Sequence, residues 1–498
     1  MNKEANMFKK ALILLLFPLS LFSQRVIGTY NLKNKPTEFV YKVSRPQKPV
    51  KLFFQNDSEY EIITFDSTFQ NTKSLVYNNP IARNRYVNFL ESDSLISLYF
   101  LNIKSGEFSV LSSSGGQNFN YQKLFKENDK EHFLKAVQVK DKMCALSIID
   151  TSNHLIVRSY DHFKLAGTDT FKIEFPMLIT ALKTELNLLN QEPFSDIGIT
   201  YINYELEQQL SDIYTDRKLY VRDDKLVMIF DRNNTSHIVI ADLTKKKSYY
   251  KKFSFKLELE TSPQTTKGNS YLFQDNFFRV TSNGHQLNLA IIDFRNFKLI
   301  RNHNIFDDMP IEIKNGPILF EESSNGSVPT IEPVKNTEKF FKIIRGADLG
   351  VTARQLSNNA YELTIGSHQS EIYVSQAMGP TIGMGMGMGV GMGIGAMGVG
   401  IGSGAFDPFY YPYGISNRGY SVSIEKAYFH SVLSEKEFAH VPMSLQTNYH
   451  NRKNLFWARN FKNGKIPEVS AEYAFKDKVH YGYWDRKISK FTLLEFEK

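Results

Sequence analysis

A single cysteine, Cys144, in 498 residues excludes any intramolecular disulfide and any metal centre built from clustered thiolates. It sits in the apolar run Met143-Cys144-Ala145-Leu146, with no histidine or polar helix start beside it, and reads as a small buried hydrophobe. Excess charge of one sign is also scarce. Sixty Lys and Arg stand against 52 Asp and Glu, a formal +8, and the basic runs are as short as Lys245-Lys246-Lys247. Nucleic-acid binding needs a dense basic stripe or a readable motif, and neither is present. Beyond the first residues no apolar run reaches the roughly 20 residues that a spanning helix requires.

The usual catalytic signatures are missing too. The eleven histidines are scattered, and none forms His-Glu-x-x-His. His430 and His440 flank one expected hairpin and read as a surface pair on a sheet rather than a metal pair. Ser403, in Gly-Ile-Gly-Ser-Gly, misses the register of a nucleophile elbow. Ser248-x-x-Lys251 and Ser423-x-x-Lys426 match the first element of a serine acyltransferase, without its partners. Phosphate loop, dinucleotide fingerprint and calcium loop are absent, and Asp231-Arg232-Asn233-Asn234 reads as a turn. No catalytic residue, cofactor or metal is assigned.

What is present begins with an address. Lys3, Lys9 and Lys10 precede Ala11–Leu16 and Phe17-Pro18-Leu19-Ser20-Leu21-Phe22, the order of a secretory signal peptide over 1–23, with cleavage before Gln24. Its removal takes three Lys and one Glu and leaves +6. No cysteine follows for lipid attachment. The expectation is an exported protein of the cell envelope: periplasmic, outer-membrane-associated or secreted.

The whole chain is 42% apolar and rich in Phe (39) and Tyr (26), enough for a large core in its body, 24–498. The body reads as short runs such as Leu95-Ile96-Ser97-Leu98-Tyr99-Phe100 and Leu287-Asn288-Leu289-Ala290-Ile291-Ile292, many of them apolar on both faces, as for strands between stacked sheets. A hairpin template recurs in which Asp or Asn ends one run and starts a turn, since its side chain bonds the backbone two residues on. Asn102, Asp150, Asp242, Asp293 and Asp485 mark it. Their separations divide into steps of 46–51 once the odd segment 378–418 is subtracted, whereas Asp66 to Asn102, 36 residues, fits badly. All-strand units of 40–50 residues point to an all-β fold, a β-propeller of about seven to nine blades, with eight preferred. The Trp-Asp, Gly-Gly and Ser-x-Asp-x-Gly signatures of named propeller families are absent. One amphipathic helix is expected over Pro176–Asn190, where Leu178, Leu182, Leu186 and Leu189 share a face.

The exceptional segment is 378–418. Met384, Met386, Met388, Val390, Met392 and Ile394 alternate with glycine. Phe406, Phe409, Tyr410, Tyr411 and Tyr413 follow, and no charge falls between Glu371 and Asp407. A glycine-rich loop is the first reading, because glycine carries the largest ordering cost. An adhesive surface is the second, with all apolar side chains on one strand face and peripheral membrane or partner contact. Thioether binding of Cu(I) is the third and weakest. The methionines and aromatics named are therefore the interaction candidates.

The function expected from these features is non-catalytic binding or scaffolding at the envelope, with a protein or surface glycan as partner. A polysaccharide-acting enzyme on a propeller is the alternative, and an outer-membrane barrel the second; the barrel is disfavoured by strands that do not alternate.

Overall fold

A computed structural model describes residues 24–497, apart from 175–198, 259–265, 375–419 and short stretches within connecting loops. Thirty strands form seven separate sheets, each of four or five strands. The regular pattern is four antiparallel strands in chain order. Blade 2 runs Asn84–Glu91, Leu95–Asn102, Glu107–Ser114, Asn118–Lys126, and blade 3 runs Glu131–Val139, Lys142–Ile149, His154–Asp161, Lys164–Lys172. Inner strands of neighbouring blades pack together, as Lys267–Phe273 does on Asp348–Leu356, while outer strands such as Lys247–Ser254 face solvent. The last sheet takes Ser470–Phe475, Lys478–Asp485 and Lys490–Glu497 from the end of the chain and Gln24–Tyr30 from its start, closing a ring. The protein is a seven-bladed β-propeller.

Seven sheets correct the preference for eight blades. The turn chemistry is as expected: Asp66 Oδ1 accepts from the backbone N–H groups of Thr68 (2.8 Å) and Gln70 (2.9 Å), Asp293 Oδ1 from Arg295 (2.8 Å) and Asp485 Oδ1 from Lys487 (2.9 Å). The turns, however, are of two kinds. Asn102 and Asp485 close the second strand of their blades, whereas Asp66 and Asp293 close the third, as Asp242 does among the four antiparallel strands of blade 4, to which the parallel Thr200–Tyr201 adds a fifth. Asp150 itself lies outside the described residues, between a second and a third strand. An Asx turn forms at either end of a blade, so the ruler mixed two marks. The 92 residues from Asp150 to Asp242 span one blade and a strand, not two blades, and the short step from Asp66 to Asn102 is one strand short of a blade.

Side chains from facing sheets fill the junctions. Apolar clusters join blades 7 and 1 (Phe54, Phe65, Phe475, Phe491), 1 and 2, 2 and 3, 3 and 4, and 4 through 6. Blades 4 and 5 also share a buried ionic knot. Asp231 accepts from Arg279 and Ser236 on Oδ1, and from Lys218 (3.3 Å) and the Ser270 N–H (2.8 Å) and hydroxyl (2.7 Å) on Oδ2. Asp231, Lys218 and Arg279 have fully buried side chains. Burial opposes the Asp231 charge, yet Arg279 and Lys218 hold its carboxyl below the ordinary range. Gly268 is needed beside the knot, because a Cβ there would lie 2.3 Å from both Arg279 Nη2 and the Asn233 carbonyl oxygen.

Two features break the pattern. Blade 6 is assembled out of order. Leu319–Ser324 and Thr330–Pro333 form its outer edge before the chain returns through helix α2 (Thr337–Gly346) to the inner strand Asp348–Leu356; α1 is the single turn Leu210–Ile213. Ala360–Val374 and Tyr420–Ser434 then pair along their whole length, ending at Val374 opposite Tyr420. Helix α3 (Tyr449–Asn460) precedes blade 7. The helix expected over 176–190 and the segment 378–418 fall outside the described residues, as does 1–23.

Candidate functional site

The junction of blades 6 and 7 has no apolar cluster shared between the two sheets among the described residues. Blade 7 instead packs Val479, Tyr481, Tyr483, Leu494 and Phe496 against Tyr449, Phe456 and Trp457 of α3. Period-two alternation explains the difference. Leu349, Val351, Leu363, Ile365, Phe429 and Leu433 of blade 6 face the core it shares with blade 5. The intervening positions are polar. Cross-strand register sets Thr352 beside Thr364 and Thr364 beside His430, Arg354 beside Glu362, and Lys426 between His368 and Glu321. One face of one blade is thus a grid of charges and hydroxyls.

Two elements cover this grid and leave a cleft with about 60 Å3 of water-accessible space. The first is the segment 207–210 leading into α1. The Gln209 N–H donates to Asp212 at 2.7 Å, and α1 sits close on Gly350, whose Cβ would lie 3.0 Å from Leu210 and Ile213. The second is α3, whose Asn448 caps the helix by accepting from the Asn451 N–H at 2.9 Å. The side of α3 toward blade 7 is apolar except for Lys453, which is paired with Glu472 and lies 4.7 Å above the Trp457 ring. Its other side offers His450, Asn451 and Asn454 to the cleft.

Every charge lining the cleft is paired. Arg354 bridges Glu207 (3.0 Å) and Glu362 (2.7 Å), and these carboxylates outweigh its burial and raise its pKa. Lys426 meets Glu321 at 2.8 Å, and the Tyr428 hydroxyl donates to the other Glu321 oxygen at 3.2 Å. Lys426 also donates to Gln209 Oε1 (3.4 Å), the Gln209 amide donates to His450 Nδ1 (2.8 Å), and His450 Nε2 donates to the Glu207 carbonyl (3.0 Å). This chain fixes a neutral His450. Burial, then Lys453, drives its pKa down to about 3. His430 is pushed down to about 4 by burial and by Arg354. Burial raises the Asp212 carboxyl to about 6.

Three carboxylates line the cleft, yet each is committed to a cation, and no group of three metal-ligating side chains occurs among the described residues.

The interaction candidates Met384, Met386, Met388, Met392, Phe406, Phe409, Tyr410, Tyr411 and Tyr413 lie outside the described residues. Cys144 is buried, as expected, and burial raises its thiol pKa. The expected surface pair of histidines is corrected. His430 is buried against Thr364, whereas His440 bonds Asn315 at 3.0 Å. Ser248 donates to the Lys172 carbonyl, and Lys426 serves the Glu321 pair, so neither belongs to an acyltransferase centre. The cleft itself went unread in the sequence. The available signal was alternation in Tyr361-Glu362-Leu363-Thr364-Ile365, in a chain many of whose strands are apolar on both faces.

No family model and no curated protein matches the chain. Among solved structures it is similar to the Dos1 propeller, 13% identical over 69% of this chain and 84% of that one, with TM-score 0.29. One of two structurally analysed prolyl endopeptidases is 11% identical over 68% of this chain and 40% of its own, with TM-score 0.31. Dihydro-heme d1 dehydrogenase NirN is 9% identical over 93% and 67%, with TM-score 0.32. The chain spans 57% of an ACO/RPE65 chimera, at 9% identity and TM-score 0.28.

Proposed function

We propose that this propeller is an exported binding or scaffolding protein of the cell envelope, without catalytic activity, whose partner is a protein or a surface glycan. The supporting observation is the cleft between blade 6 and α3: a recessed polar surface in which Glu207, Glu321 and Glu362 are all held by Arg354 or Lys426. A polysaccharide-acting enzyme would need two carboxylates left to act as acid and base at the reacting bond. Seven separate sheets likewise replace the one closed sheet of a barrel.

Export rests on the lysine-then-apolar start over 1–23. The rest of the reading treats 24–498 as one domain, with an amphipathic helix over Pro176–Asn190. It also takes the Gly/Met segment 378–418, outside the described residues, to supply a second, apolar contact surface. Fractionation of the native cell tests the reading. The mature chain is expected outside the cytoplasm, beginning near Gln24, and cross-linking in intact cells should join it to an envelope component. Intact Met1 on native cytoplasmic protein refutes it.

A further inference from the structure

The cleft retains polar atoms that the described residues do not answer. His430 Nδ1 lies 3.1 Å from the Thr364 hydroxyl and 3.4 Å from Glu362, which only accepts, so the proton sits on Nδ1 and Nε2 carries a lone pair. His430 is 8% exposed, lines the cleft, and has no partner for Nε2 among the described residues. The side chains of Thr352, Asn451 and Asn454 likewise line the cleft without a hydrogen-bond partner among the described residues. The open groups are therefore one acceptor, one hydroxyl and two amides that both donate and accept.

An anion would find Arg354 and Lys426 already occupied and three carboxylates beside them. A free cation would find each of those carboxylates already engaged by Arg354 or Lys426, although the five charges leave a formal −1. An apolar group would meet Leu210, Ala353 and the Tyr428 ring among side chains that are otherwise polar. Neighbouring hydroxyls, each both donor and acceptor, match the open set. At about 60 Å3 the space equals roughly four or five waters, suited to one ring edge rather than a peptide strand. We propose that the cleft between blade 6 and α3 binds a neutral sugar unit of an envelope glycan. This deepens the binding reading above and rests on it.

The test is calorimetric titration of the mature protein with neutral hexose and N-acetylhexosamine oligosaccharides, and with uronic-acid oligosaccharides of equal length. Neutral sugars are expected to bind at least tenfold more tightly. Asn454→Ala removes one amide and should weaken binding about threefold to tenfold. His430→Phe fills the cleft and should abolish it, whereas His430→Gln keeps an acceptor and should retain part. Lys298→Ala, on the outer strand of blade 5, should leave binding unchanged. If His430→Phe does not fold, Asn454→Ala on the half-buried side of α3 carries the test. The proposal is overturned if no neutral sugar binds the folded protein, if acidic sugars bind more tightly, or if Asn454→Ala changes nothing. An envelope-located protein that cross-links a protein partner but binds no sugar sinks the cleft proposal alone; cytoplasmic retention sinks the envelope reading.

Discussion

Replacing Asp231 by alanine should be among the most damaging single changes in this propeller. The carboxylate has zero exposure and receives five donors, from Arg279, Ser236, Lys218 and both the N–H and hydroxyl of Ser270. Its removal strands two buried cations at the junction of blades 4 and 5, where water cannot reach them. Breaking a buried pair in this way costs about 3–5 kcal/mol, mostly from the charge left behind. Unfolding entropy of about 2.1 cal/mol/K per residue over roughly 450 residues gives about 0.95 kcal/mol/K, so Tm should fall by about 3–5 °C if the ring unfolds in one step. Differential scanning calorimetry reads this directly. The partner experiment replaces all three charges, with Lys218→Met, Asp231→Leu and Arg279→Met together. Apolar substitutes for buried ions of similar volume are often neutral, so the triple variant should recover most of the loss. A Tm drop below about 1 °C for Asp231→Ala, or a triple variant worse than the single, would refute the account of the knot.

The remaining predictions concern pH, packing and the Gly/Met segment. Burial drives His368 and His450 to about 3 and His430 and His480 to about 4, so between pH 6.5 and 4 the unfolded chain binds protons that the native one does not. Stability should therefore fall as pH drops through that window. Asp212, raised to about 6, works the other way below pH 6 and cancels roughly one histidine. A net loss approaching about 4 kcal/mol per pH unit follows, and a Tm that stays flat from pH 6.5 to 5 would contradict it. Gly268→Ala should cost about 1–3 kcal/mol in urea unfolding, since the new methyl collides with backbone at Asn233 as well as with Arg279; an unchanged midpoint would rule out the close approach. Val374 and Tyr420 are cross-strand neighbours, so deleting 380–414 and joining with four Gly/Ser residues shortens the connection from 45 residues to 14. Loop entropy changes by only about 1 kcal/mol, and Tm should hold within about 1–2 °C while membrane or partner association falls. Met386→Asp with Met388→Asp should reproduce the loss of association, and a deletion variant that unfolds would defeat both the loop and the adhesion readings.

The sequence alone determined the local structure, because strands and Asx turns depend on neighbours a few residues away. The runs around Leu98, Ile229 and Ile291 are strands, and Asp66, Asp293 and Asp485 each cap a turn through their own backbone. Tertiary structure decided the blade count, since an Asx turn carries no mark of which end of a blade it occupies, and blade 6 takes its outer strands first. It also decided the fate of Asp231, which reads as part of the turn Asp231-Arg232-Asn233-Asn234. The turn forms at Asn233, with φ 51°, while Asp231 points inward to cations 13 residues before it and 48 after it. The cleft lies furthest from sequence reasoning. His450 reaches a carbonyl 243 residues earlier in the chain, at Glu207, and Lys426 meets Glu321 across 105. Such contacts exist only once a ring of sheets has closed and a helix has been set between two of them, and no periodicity of strand or turn encodes that placement.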